Sequence, residues 1–229
     1  MNTHELKALN DYLKGFVTPG RAEKIDQVLS LRQRHVTVML EDIYQPHNAS
    51  AVLRSCDAFG IQHVHIVENR NSYRINPDVE LGTAQWLTLH HYREKENNTP
   101  DAIRQLKESG YRIIATAPHS RDCLLEDLSI EKGPMALMFG TELNGLSDTA
   151  LDLADEFVRI PMHGFVESFN ISVSAAICLS SLDRRLRDSR IPIQPDAHEL
   201  QEIRHQWYRN SLKRPDQLIR AYGQEKTHG

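Results

Sequence analysis

The stretch IPMHGFVESFNISVSAA, residues 160–176, decides how this chain is read. From Glu167 to Ser174, the small polar residues Ser168, Asn170, Ser172 and Ser174 alternate with apolar Phe169, Ile171 and Val173, the period of a strand. AAICLSSLDRRLRD follows at once with helical spacing to about Asp188. The pattern predicts a strand running straight into a helix. Four small polar side chains thus stand where one expected buried surface turns into another.

Upstream, short apolar runs alternate with helical stretches. VTVML (36–40), HVHIV (63–67), WLTLHHY (86–92), YRIIATA (111–117), PMALMFG (134–140) and FVRIP (157–161) read as strands. NASAVLRSCDAFG (48–60), the segment 100–109 and SDTALDLAD (147–155) read as helices between them. The alternation predicts an α/β domain over 36–190, a mostly parallel sheet with helices on both faces. Residues 1–35 predict an N-terminal helical extension, two helices over 4–16 and 22–32 separated by a TPGR turn. Residues 191–229 predict a C-terminal helical extension: the PIQP linker, a helix from Asp196 with Glu199 three residues on as a capping box, then a short helix PDQLIRAYG.

Composition narrows the function classes. The chain has 229 residues, 40% of them hydrophobic and 25% charged, ordinary for a globular protein with one sizeable core. No apolar run approaches the roughly 18 residues that span a bilayer, and the first sixteen residues carry charges where a signal peptide is apolar. A soluble, cytoplasmic protein without membrane attachment is expected. Three scattered cysteines, with no CxxC pair, point to neither a disulfide framework nor zinc, and the twelve histidines form no ligand pattern, so no metal is expected. The net charge of −4 is unevenly spread: residues 36–178 hold eleven Lys and Arg against twenty Asp and Glu, while both ends are mildly basic. A basic periphery suits nucleic acid locally, although a solvated helix face is the commoner reason for such modest runs.

No GxGxxG follows a strand, and GTELNGL (140–146) lacks the Gly-Lys-Ser/Thr of a P-loop. Three polar clusters remain where strands end, the place at which open α/β sheets bind ligands. They are QPHNASAVLR with Asn48 and Arg54, MFGTELNGLS with Gly140, Glu142 and Gly145, and the opening stretch. Each has a plain structural reading: Asn48 as a helix cap, Arg54 as a surface charge, GTELNG as a turn, Ser168 as the cap of the long helix.

Taken together and in this order, the three clusters resemble the motifs of the SpoU/TrmH branch of the SPOUT methyltransferases over about residues 36–190. That resemblance implies methyl transfer from S-adenosyl-L-methionine to a ribose 2′-hydroxyl in RNA. It also implies a C-terminal deep trefoil knot, which periodicity cannot reveal, and a homodimer with the cofactor site near the interface. Residue by residue, it casts Arg54 as the activating group, with Asn48, Glu142, Ser168 and Asn170 holding it and the RNA phosphate. Thr116, Gly140, Ile160 and Phe169 would line the cofactor site. Arg54 stands open between base and phosphate clamp, because a guanidinium with a pKa above about 12 is a poor proton acceptor.

The short helical flanks resemble those of the family members that methylate the D-loop guanosine at tRNA position 18. On that basis tRNA is the expected partner, contacted by Arg184, Arg185, Arg187, Arg190, Arg204, Arg209, Lys213 and Arg214 with Trp207 and Tyr208. A ribosomal RNA methyltransferase of the same family and a catalytically inactive knot-fold RNA-binding protein stand as alternatives.

Overall fold

The computed structural model describes residues 1–74, 76–117 and 122–228. Its contacts divide the chain into two compact units, Gln33–Ile193 and Met1–Arg32 with Gln194–Gly229.

In the larger unit, β1 (Val36–Glu41), β2 (His63–Val67), β3 (Thr88–Tyr92), β4 (Arg112–Ala115), β5 (Asp122–Leu124), β6 (Met135–Phe139) and β7 (Glu156–Arg159) form one sheet. Its order is β3-β2-β1-β6-β4-β7-β5, with parallel pairing throughout the described strands. The intervening helices are α3 (Pro46–Ala58), the single turn α4 (Pro77–Glu80), α5 (Thr99–Glu108), α6 (Asp148–Leu153) and α7 (Ile171–Arg187).

Strand alternation sorts the side chains into two cores. Val38 and Leu40 of β1 and Leu137 and Phe139 of β6 pack with Leu53 and Cys56 of α3 and with Leu179 and Leu182 of α7. Met39, Ala136 and Met138 face the other way, against Ile103 and Leu106 of α5 and Ala150 of α6. Because central strands are buried on both faces, VTVML and MALMF are continuous apolar runs.

The topology creates a crevice. β1 leads through α3 to β2 on one side, whereas β6, its neighbour, leads through α6 to β7 on the other. The carboxyl ends of β1 and β6 therefore send their loops apart, which is the switch point at which such sheets bind ligands.

Two sequence expectations change. The strand expected across 167–174 is not formed: α7 begins at Ile171, and its buried positions Ile171, Ala175, Cys178, Leu179, Leu182 and Leu186 follow helical spacing from the start. Asn170 causes the change, since its Oδ1 accepts from the Ser172 amide at 2.9 Å and the Ser172 hydroxyl at 2.7 Å, an N-cap that commits the chain to helix. Asn170, not Ser168, caps this helix. Likewise α3 starts at Pro46 with Gln45 as N-cap, so Asn48 lies inside the first turn and its side chain is released from capping.

At the outer edge of the sheet, His63 and His65 of β2 lie beside His90 and Tyr92 of β3. The His65 and His90 rings stack at 4.6 Å, His63 Nδ1 lies 2.9 Å from His90 Nε2, and His65 Nδ1 lies 3.0 Å from the Tyr92 hydroxyl.

The smaller unit is helical: α1 (Thr3–Lys14) and α2 (Pro19–Leu29) with α8 (Ala197–Ser211) and α9 (Pro215–His228). Leu6, Leu9 and Leu13 of α1 are buried, as are Ile203, Trp207 and Tyr208 of α8. The fully buried Asn10 of α1 donates to the Gln201 carbonyl at 2.9 Å and lies 3.1 Å from His205 Nδ1, which fixes the register of the two helices. Asp196 caps α8 as expected, accepting from the His198 and Glu199 amides. Among the described residues no helix is long and apolar enough to cross a membrane.

Candidate functional site

Three loops meet at the β1/β6 crevice. Asn48, 2% exposed, donates through Nδ2 to Glu142 Oε1 at 2.6 Å and to Gln45 Oε1 at 3.3 Å. Its Oδ1 accepts from Asn170 Nδ2 at 3.1 Å. One amide thus joins the loops that follow β1, β6 and β7, and the structure brings three of the expected site residues into a single network.

Gly140 shapes the middle loop by close approach. A Cβ there would lie 2.1 Å from the Gly145 carbonyl carbon and 2.3 Å from the Leu146 nitrogen, distances no side chain tolerates. The approach is held by paired backbone bonds, Thr141 N to Gly145 O at 2.8 Å and Gly145 N to Thr141 O at 3.0 Å, and Gly145 adopts φ 70°. Gly140 acts on the site through this turn, which presents Glu142 to Asn48.

Beside the network lies a cavity of about 390 Å³ lined by Thr116, Val158, Ile160, Met162, Ser168 and Phe169 among others. Thr116, Ile160 and Phe169, expected around a cofactor, all contribute, and Ser168 joins them; Gly140 is not among the lining residues. Thr116 turns its hydroxyl away to the Met138 carbonyl at 2.7 Å. Cys178, also in the wall, has its thiol pushed up to about 12 by burial and is chemically quiet. The volume falls in the ~300–1,000 Å³ range of small-molecule sites, and the wall combines apolar side chains with Ser168, Ser174 and the charged Arg159 and Glu167.

Arg54 does not join the network. It lies almost two turns along α3 from Asn48, and its guanidinium donates to the Val79 carbonyl at 3.1 Å on an exposed face. The grouping of Arg54 with Asn48, Glu142, Ser168 and Asn170 that the resemblance implies is therefore not formed in this structure.

Sequence reasoning missed the supports beneath the loops. Glu41, 2% exposed, accepts from the Thr99 hydroxyl at 2.5 Å and from the Ser147 hydroxyl and amide, both at 2.8 Å, which ties the start of α6 to the end of β1. Asp42, at φ 54°, receives the amides of Asn69, Arg70 and Asn71 on one carboxylate oxygen. Ser50 accepts the Asn76 amide at 2.9 Å and holds the following segment against α3. A legible signal existed for the first two: an acidic pair closing an otherwise apolar strand. Among the described residues, no group of three or more His, Cys, Asp or Glu is placed to hold a metal ion.

The model of the SpoU rRNA Methylase family matches residues 35–180. A Borreliella burgdorferi protein named tRNA (guanosine(18)-2′-O)-methyltransferase is 43% identical, covering 88% of this chain and 90% of that protein. A Shewanella oneidensis protein named 23S rRNA (guanosine-2′-O-)-methyltransferase RlmB is 33% identical, covering 79% and 74%. Among solved structures, an A. aeolicus TrmH/SpoU tRNA modifying enzyme superposes with a TM-score of 0.74 at 25% identity, covering 83% of this chain and 95% of that one.

Proposed function

The chain belongs to the SpoU methylase family, and on that premise we propose that it methylates the ribose 2′-hydroxyl of guanosine 18 in tRNA, using S-adenosylmethionine. The observation that carries the reading is the Asn48–Glu142–Asn170 network, with Ser168 and Phe169, just before Asn170, lining the adjacent cavity. The higher identity and fuller coverage of the tRNA-acting relative favour tRNA over ribosomal RNA.

When bound in the cavity, S-adenosylmethionine supplies an electrophilic methyl group. The residues of the chain supply placement. Thr116, Ile160 and Phe169 enclose the cofactor and exclude water, while Asn48, Glu142 and Asn170 hold three loops at fixed spacing around the entering ribose. Such alignment is worth on the order of 7–11 kcal/mol in a displacement reaction. Arg54 clamps the adjacent phosphate and stabilises the negative charge that the 2′-oxygen gains as its proton passes to solvent water, the oxygen–methyl bond forming as the methyl–sulfur bond breaks and S-adenosylhomocysteine is left; the role suits a permanently charged fork donor. To do so it leaves the Val79 carbonyl, an exposed bond that solvent replaces at little cost.

Three further features belong to the same proposal. The segment 160–170, which carries β7 into α7, forms the crossing of a deep trefoil knot. The protein works in the cytoplasm as a homodimer. The face assigned to self-association is the groove between α3 and α7, floored by Ala51, Ser55, Ala176 and Ser180 beside Val173, which is 43% exposed.

The test is methyl incorporation from labelled S-adenosylmethionine into unmodified tRNA, with ribosomal RNA in parallel and the nucleoside identified by mass spectrometry. The expected product is 2′-O-methylguanosine in the tRNA D-loop. Label in ribosomal RNA alone overturns the substrate, and cofactor binding without turnover on either RNA overturns the enzyme reading.

A further inference from the structure

Within the helical unit, the turn between α8 and α9 borders a cleft of about 560 Å³ whose wall includes Phe16, Leu212, Lys213, Arg214 and Leu218. Phe16 is 49% exposed, and it is backed by Tyr12 at a centroid distance of 5.0 Å. Tyr12 in turn packs against Tyr222 of α9 at 5.0 Å, so the exposed ring stands on an aromatic base.

The structure also sorts the basic residues that sequence alone leaves equivalent. Arg204 is ion-paired to Asp26, Arg209 to Asp216 at 2.8 Å, and Arg187 to Asp183 at 2.9 Å. Arg185 donates to the carbonyls of Leu125 and Leu128. These four have partners within the chain. Lys213 and Arg214 are exposed at the cleft and, like the exposed Arg184 and Arg190 outside its lining, have no side-chain hydrogen bond or ion pair among the described residues.

We propose that this cleft receives one unstacked nucleotide of the RNA substrate, its base against the Phe16 ring and its phosphate between Lys213 and Arg214. The inference rests on the RNA-acting reading given above and assigns it a contact outside the methyl-transfer site. A single exposed aromatic face accepts any base, because every base has a π surface. Two adjacent cations give the phosphate contact that positions nucleic acid without reading sequence. Concavity selects a base already out of its stack, since a flat duplex surface cannot enter.

The test is binding of unmodified tRNA to the full chain, followed by fluorescence anisotropy over a range of salt concentrations, with S-adenosylmethionine affinity measured separately. Phe16→Ala is expected to weaken tRNA binding roughly tenfold with the salt dependence unchanged. Phe16→Trp, which keeps a stacking face, is expected to restore it. Lys213→Gln with Arg214→Gln is expected to lower the slope of log affinity against log salt by about 2, while Lys24→Gln on exposed α2 lowers neither affinity nor slope as far. Cofactor affinity stays at the wild-type value in every variant. Wild-type tRNA affinity and slope in the Phe16 and double variants overturn the cleft, and so does an equal loss in Phe16→Ala and Phe16→Trp. Absence of tRNA methylation by the wild type overturns the function reading instead, and the binding comparison still judges the cleft.

Discussion

Asn48 Nδ2 lies 2.6 Å from Glu142 Oε1, a bond between residues 94 positions apart. The same nitrogen reaches Gln45, and Oδ1 takes a bond from Asn170, so the buried amide uses both donor hydrogens and an acceptor site. An amide is the side chain that can donate to a carboxylate on one edge and accept from another amide on the other. Asn48→Ala removes all three bonds and is expected to lower stability by about 1–3 kcal/mol. Asn48→Asp is expected to do worse, because it sets a second carboxylate against Glu142. Thermal denaturation at neutral pH orders the two, and a Tm of Asn48→Asp above that of Asn48→Ala would contradict the assignment.

Arg54 contributes almost nothing to the fold through its exposed bond to Val79. Arg54→Ala is therefore expected to keep the wild-type Tm and S-adenosylmethionine affinity while methyl transfer falls by about 100-fold or more. Arg54→Lys is expected to recover little of it, since a point charge does not reproduce a bidentate fork. Calorimetry and single-turnover transfer separate the two effects, and an active Arg54→Ala would remove the residue from the mechanism.

The two glycines of the middle loop fail differently. Gly140→Ala places a methyl 2.1 Å from backbone that has no slack, so the loop must open and Glu142 must leave Asn48. Gly145→Ala meets open space and suffers only from φ 70°, at a cost of roughly 1–2 kcal/mol. The expected result is a large loss of both stability and turnover for Gly140→Ala and a modest loss of stability for Gly145→Ala, read by denaturant unfolding.

The histidine row at the sheet edge makes stability depend on pH. Burial, with the neighbouring His90 and His63, pushes His65 down to about 3, and burial with His63 and His91 pushes His90 down to about 4. Folded, both rings stay neutral well below the usual value of 6.5, while the unfolded chain takes up protons there. Stability is thus fully present above about pH 6.5 and is lost as pH falls toward 4, at up to about 1.4 kcal/mol per pH unit for His65 and less for the half-buried His90. His65→Gln should flatten that slope in urea unfolding between pH 7.5 and 5; an unchanged slope would place the acid sensitivity elsewhere.

Much of the fold was legible because central parallel strands are apolar throughout and are separated by helices of ordinary length. β5 (Asp122–Leu124) was not, being three residues of mixed polarity at the sheet edge. The false strand at 167–174 arose because alternation over eight residues also fits the first turn of a helix with a polar cap, and only the Asn170 side chain decides between them. Within the site, types and order of residues carried the reading, but not who touches whom. Asn48 looked like a cap because its true partner is 94 residues away. Glu41 went unread for the same reason, its partners Thr99 and Ser147 lying 58 and 106 residues distant.

The pairing of α1 with α8 has a consequence for the chain as it is made. Translation places residues 33–193 between them, and at about 5–20 residues per second that is an interval on the order of 10–30 s. Throughout it, Leu6, Leu9 and Leu13 form an apolar stripe with no α8 to cover it, although the sheet domain is already emerging. The helical unit therefore assembles only after the ribosome has finished the sheet domain, since a 12-residue helix is marginal until α8 covers its apolar stripe.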